Sequence, residues 1–224
     1  MKILALEFSS SQRSVAVLKA DMRGHVLAAG EVVETAPGNT MKPLGMIATA
    51  MQDAGLEREE IECLAVGLGP GSYNGIRVAI AMAQGWQLAS GVKLLGVSSA
   101  ECVAAQALAD GVKEKFSVVI DAQRGEFYVA DYEVKNGQLG DGSALELVTL
   151  EEVCRRERAG NLLIGPEVTR WFSSGRAIFP RAEMLGRLAL SRGSIVSGDK
   201  LEPIYLRQTN FVKAPQPRTF SIND

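Results

Sequence analysis

Apolar residues come in short alternating or continuous blocks from the start of the chain. Lys2 to Phe8 is apolar and rich in strand formers, Ser9 to Ser11 make a polar turn, and Ser14 to Lys19 alternates. After the turn ADMRG, the run HVLAAGEVV reads as a third strand, so the chain opens on a three-stranded meander. TAPGN breaks the pattern. Thr40 to Ala54 then places Met41, Leu44, Ile47, Ala48 and Met51 on one helical stripe, with Gly55 as its stop. Cys63 to Leu68 predicts a buried strand and, after a glycine-rich turn, Gly75 to Ser90 predicts a helix. The small residues Ala79, Ala81, Ala83 and Gly85 would let another helix approach it closely. Lys93 to Val97 is a further short strand, and Ser98 or Ser99 caps a helix that runs to Ala109.

The pattern then starts again. FSVVIDAQRGEFYVADYEVKNGQLG repeats the logic of KILALEFSSSQRSVAVLKADMRGHVL: an apolar strand ending in an acid, a polar turn, an alternating strand, a hairpin turn and a third strand. Asn136-Gly137 marks that hairpin, since both residue types tolerate positive φ. Glu7 and Asp121 hold matching places. The repeat predicts an α/β fold of two duplicated units, each a mixed sheet of a meander plus parallel strands with flanking helices. The expected units are 1–110, and a smaller 111–205 with a helix from Leu150 to Arg158, the strand NLLIG and a helix from Arg181 to Arg192. From Pro203 to Ile222 there is no acidic residue, but there are Arg207, Lys213, Arg218 and three prolines. The segment 206–224 is expected to be an extended, partly disordered tail.

Composition narrows the function classes. The 224 residues are 46% hydrophobic and 22% charged, enough for a sizeable core. A net charge of -2 argues against a large nucleic-acid-binding face. Cys63, Cys102 and Cys154 are scattered and form no CxxC pair, which suggests a reducing compartment and no disulfide or zinc framework. Glu7 interrupts the apolar start, so it does not read as a secretory signal, and no run of about eighteen apolar residues exists to span a membrane. A cytoplasmic protein is expected.

The candidate chemistry is sparse. Leu68-Gly69-Pro70-Gly71-Ser72 sits at a strand-to-helix turn, where backbone N–H groups can meet an anion. No Lys-Ser/Thr pair follows Gly75, so it is not a Walker loop, and Asn74 stands where GxGxxG needs its third glycine. Spacing alone leaves two readings of Gly69, Gly71, Ser72 and Gly75: a phosphate cradle, or a turn tight enough to pack a helix on a sheet. Glu7 with Ser9 and Ser10 can be read as a carboxylate for hydrated Mg²⁺ beside phosphate, or as a turn acid. Asp121, with Arg124 and Glu126 nearby, is the matching candidate in the second unit. His25 is the only histidine, which excludes a multi-histidine metal site and the HExxH arrangement. GxSxG does not occur. No catalytic residue and no metal ligand set is predicted.

Four stretches carry a family resemblance: ILALEFSSSQRSVAVL, AVGLGPGSYNGIRVAIAMAQGWQLASGVKLLGVSSAE, VVIDAQRGEFYVADY and PIYLR. In this order they resemble the TsaB (YeaZ) family, whose pattern runs ILAIDTS, GPGSFTGLRIG, DARRGEVY and P-x-YLR. The resemblance implies an actin-like, Hsp70-like fold of two RNase H-like units. It also implies a non-catalytic role in making N6-threonylcarbamoyladenosine at position 37 of tRNAs that read ANN codons. The implied partners are TsaD, which carries the metal and the transfer chemistry, and TsaE; a homodimer is expected when the protein is alone, and tRNA is met through the complex. No cofactor is implied for the chain itself, although ATP or ADP with Mg²⁺ has a place at the TsaD interface. That interface is expected on the first two long helices, with Met41, Leu44, Met46, Ile47, Met51, Tyr73, Ile76, Arg77 and Ile80 as its candidates. An independent ATPase or kinase and a glycopeptidase, a label attached to relatives, are the alternatives. Glu7 stands where the family has Asp, Tyr73-Asn74 where it has Phe-Thr, and Asn39-Thr40 where it has His-Ser.

Overall fold

The computed structural model describes residues 1–21, 23–35, 42–192 and 200–206. The chain order is β1 (Lys2–Glu7), β2 (Gln12–Ala20), β3 (Val26–Thr35), α1 (Pro43–Ala54), β4 (Cys63–Gly67), α2 (Tyr73–Ser90), β5 (Lys93–Val97) and α3 (Ser99–Ala109). It continues as β6 (Phe116–Asp121), β7 (Glu126–Tyr132), β8 (Val134–Lys135), β9 (Gln138–Leu139) and β10 (Glu146–Thr149). After these come α4 (Leu150–Arg158), β11 (Leu162–Gly165), β12 (Arg176–Ala177) and α5 (Ala182–Arg192).

Two five-stranded sheets share one plan. The first runs β3-β2-β1-β4-β5 and the second β10-β7-β6-β11-β12. In each, two antiparallel pairings give way to two parallel ones at the matching places. The duplicated α/β architecture read from the sequence is therefore the one observed. Its third strand in the second unit needs correction. Asn136-Gly137 does turn a hairpin, with φ of 53° and 74°, but the hairpin is the small β8-β9 ribbon. The meander is completed by β10, which pairs with β7.

Alternation along β1 and β2 decides the first core. Leu4, Leu6, Val15 and Val17 face α1 and α2, while Ile3, Ala5, Ala16 and Leu18 face α5. The second sheet is split likewise: Phe116, Val118, Tyr128 and Ala130 meet α3, and Val119, Phe127 and Val129 meet Val153 of α4. Each sheet is thus covered by a helix that chain order would assign to the other. α3 follows the first sheet and covers the second. α5 follows the second and covers the first, approaching so closely at Gly186 that a Cβ there would lie 2.5 Å from a Leu18 methyl.

That approach is held by polar contacts at the start of α5. Glu31 of β3 accepts two hydrogen bonds from Arg181 and a third from the Glu183 N–H, and the Ser14 hydroxyl accepts from the Ala182 N–H. A carboxylate over a helix N-terminus is favoured by the helix dipole as well as by its partners. Among the described residues, no helix is long and apolar enough to cross a membrane.

Candidate functional site

The site is assembled where β1, the glycine loop and α3 meet. β1 ends in Glu7, a fully buried acid. One carboxylate oxygen accepts from the Ser9 N–H at 2.8 Å, and the other from the Ser99 hydroxyl at 2.9 Å. Ser99 in turn accepts from the Gly69 N–H at 3.1 Å, and the Ser99 N–H donates to the Gly69 carbonyl at 2.8 Å. Burial, opposed by the bonds from Ser9 and Ser99, pushes the Glu7 carboxyl above its ordinary range. The acid therefore ties the end of β1 to the start of α3 and to the loop.

The loop's glycines are explained by how closely it lies against the β1–β2 turn. A Cβ on Gly71, where φ is 147°, would stand 2.1 Å from the Ser9 carbonyl oxygen. A Cβ on Gly75 would stand 2.0 Å from the Phe8 carbonyl, and one on Gly67 2.1 Å from the Glu7 carboxylate. The Ser72 N–H donates to the Ser9 carbonyl at 2.6 Å, and the Ser72 hydroxyl caps α2 by accepting from Gly75. Ser10 is buried too, its hydroxyl donating to the Gln12 carbonyl. The geometry favours the packing turn over the phosphate cradle: the Gly69 and Ser72 amides are already spent on Ser99 and Ser9. Nor do Glu7, Ser9 and Ser10 fit a hydrated Mg²⁺ with phosphate, because they are buried and Gly67 backs directly onto the carboxylate.

Asp121 ends β6 as Glu7 ends β1, but is only partly buried and bonds within its own turn. It accepts from the Gln123 N–H at 2.7 Å and from the Gln123 side-chain amide at 3.2 Å. The turn it supports is unusual, because Gln123 and Arg124 have φ of 64° and 62° and Gly125 follows at 75°. A non-glycine residue in that region costs about 1–2 kcal/mol. Sequence reading missed this, since neither Gln nor Arg is a turn signal. His25 is solvent-facing and contacts only Asp21 among the described residues, at 3.2 Å. Burial pushes the Cys63 thiol up to about 12 and the Cys102 thiol well above its usual value, so neither is a ready nucleophile.

The predicted interface residues divide sharply. Met46, Ile47, Met51, Ile76 and Ile80 lie in the core between α1, α2 and the first sheet. Their side chains are buried within the chain itself. The buried stripe of α1 is Met46, Ile47, Ala50 and Met51, rotated away from the predicted one, so that Leu44 is 70% exposed. Met41 lies outside the described residues, as do Asn39-Thr40 and the tail from 207. Tyr73 and Arg77 remain exposed on α2. The Arg77 guanidinium lies 5.1 Å from the Tyr73 ring centre and donates to its hydroxyl at 2.7 Å. Tyr73 also stacks with Tyr205, their ring centres 5.6 Å apart. Tyr205 belongs to 200–206, which is pinned by buried Leu201 and by an Ile204 N–H bond to the Leu68 carbonyl. A cleft of about 980 Å³ lies between α3, α5 and the second sheet, walled by Glu101, Tyr132, Asp141 and Met184 among others. None of the predicted phosphate-loop residues lines it.

Known proteins resemble this chain in sequence and fold. A model of the TsaD family, tRNA N6-adenosine threonylcarbamoyltransferase, matches residues 40–214. The tRNA threonylcarbamoyladenosine biosynthesis protein TsaB of Escherichia coli is 28% identical over 92% of this chain and 95% of its own length. YeaZ of Pseudomonas aeruginosa superimposes with a TM-score of 0.75 at 25% identity, over 92% of this chain and 99% of that one. The chain belongs to the TsaB (YeaZ) branch of the TsaD family. A second P. aeruginosa crystal structure, of a protein similar to peptidase YeaZ, gives a TM-score of 0.77 at the same identity. In this TsaB-family chain, then, the GPGS segment is a packed joint between β1, α2 and α3.

Proposed function

We propose that this chain is a non-catalytic subunit of the machinery that makes N6-threonylcarbamoyladenosine in tRNA, and that it docks on the TsaD transferase. The pathway rests on the TsaB relatives that match 92% of its length. The non-catalytic role rests on one observation above all: the acid at the end of β1 is sealed by Ser9, Ser99 and Gly67. The docking face is centred on Tyr73 and Arg77 of α2 and Tyr205, an exposed aromatic and arginine cluster beside that joint, with exposed Leu44 of α1 as a further contact. Aromatic and arginine anchors of this kind are what protein interfaces concentrate. ATP or ADP with Mg²⁺, TsaE and tRNA are then met in the assembly, and the same face supports a homodimer when TsaD is absent.

Size exclusion with TsaD from the same organism tests this. A stable heterocomplex at micromolar concentration is expected, weakened by Tyr73→Ala and Arg77→Ala. No complex with or without ATP, or ATP turnover by the isolated chain, would sink the proposal.

A further inference from the structure

The chain builds two hairpin turns with positive φ by opposite means. Between β8 and β9 it uses Asn136-Gly137, the pair that accepts positive φ at least cost. Between β6 and β7 it forces Gln123 and Arg124 into the same region and puts glycine only at the third place. Asp121 holds this strained turn through the Gln123 N–H, and the Ala122 N–H closes it on the Glu126 carbonyl at 2.9 Å. Strain maintained by surrounding bonds points to a use for the side chains it carries.

Arg124 is the side chain presented. It is exposed, and among the described residues no hydrogen bond or ion pair engages its guanidinium. The hydrogen bonds that hold the turn are made by its neighbours, so Arg124 contributes nothing to it that glycine would not. A free planar fork on a fixed turn is suited to an anion with two coplanar oxygens. Asp121 and Glu126 flank it. Two nearby carboxylates disfavour a doubly charged phosphate more than a singly charged carboxylate.

We infer that Arg124 is an interaction residue: the Asp121–Gly125 turn holds its guanidinium out to pair with a carboxylate on a protein partner. This rests on the proposed TsaD docking and extends it from the first unit to the second.

Binding of TsaD to the wild-type chain and to Arg124→Ala, Arg124→Lys and the double change Gln123→Asn with Arg124→Gly tests it. Arg124→Ala should weaken binding about tenfold and flatten its salt dependence, as loss of an interfacial charge pair does. Arg124→Lys should recover part of the loss. The double change should raise Tm by about 2–4 °C while binding as weakly as Arg124→Ala. If the wild type binds and Arg124→Ala binds equally well, the inference is wrong while the docking proposal stands. If the wild type does not bind, both fall. Inorganic phosphate or ATP bound by the isolated chain and lost in Arg124→Ala would overturn the carboxylate assignment.

Discussion

The two halves of this molecule share a strand order and differ in what they hang on it. Between β4 and β5 the first unit carries a glycine joint and the 18 residues of α2; between β11 and β12 the second carries only a short 3-10 turn at Val168–Arg170. Glu7 is buried in the joint, whereas Asp121 is only partly buried at the base of a strained turn. A shared frame can carry different environments at matching strand ends. Here the acid of the first unit is sealed inside and braces a helix, and that of the second is only partly buried.

Gly75 and Gly85 on α2 break or sharpen this picture most strongly. Gly75→Ala drives a methyl into the Phe8 carbonyl, which as backbone cannot move aside, and should cost about 3 kcal/mol or more. Gly85→Ala meets nothing within 4 Å and should gain about 0.5–1 kcal/mol from helix propensity. Urea denaturation measures both. Equal effects would mean that the joint is not close-packed.

The halves should also respond to pH with opposite sign. Burial raises the folded-state carboxyl of Glu7 above 4.5, so the folded state holds a proton that the unfolded chain releases. That contribution to stability falls as pH rises above about 4.5. In the second unit, Arg155 and Arg156 hold Glu152 down to about 2, so its contribution is present above 4.5 and lost as pH falls towards 2. Tm followed across pH for Glu7→Gln and Glu152→Gln should therefore diverge from wild type in opposite directions above about 4.5. Glu7→Gln gains on the wild type as pH rises towards neutrality, and Glu152→Gln loses to it above 4.5 by a small, salt-sensitive margin. Parallel curves would remove the contrast.

Much of the frame was legible from patterning. Lys93–Val97 and Leu150–Arg158 fall where alternation and periodicity put them, and the repeat anticipates the shared strand order. Helix phase was harder to read. Small and apolar residues surround much of α1, so a stripe through Met41 and Leu44 was as consistent as the observed one through Met46 and Ala50. The role of the glycine loop was not decidable, because what forbids a side chain at Gly71 and Gly75 is the backbone of residues more than sixty positions earlier. The pairing of Tyr205 with Tyr73 spans most of the chain and leaves no local trace. The Gln123-Arg124 turn runs against the usual turn chemistry, so only the backbone reveals it.

The central claim is that Glu7 braces a docking subunit and takes no part in nucleotide or metal chemistry. The direct measurement is N6-threonylcarbamoyladenosine content of tRNA in a strain lacking this subunit and supplied with the Glu7→Gln chain. Glutamine keeps an acceptor for the Ser9 N–H and an amide for Ser99, so the modification should return to the wild-type level. Loss of the modification, with the variant folded and abundant, would contradict the account.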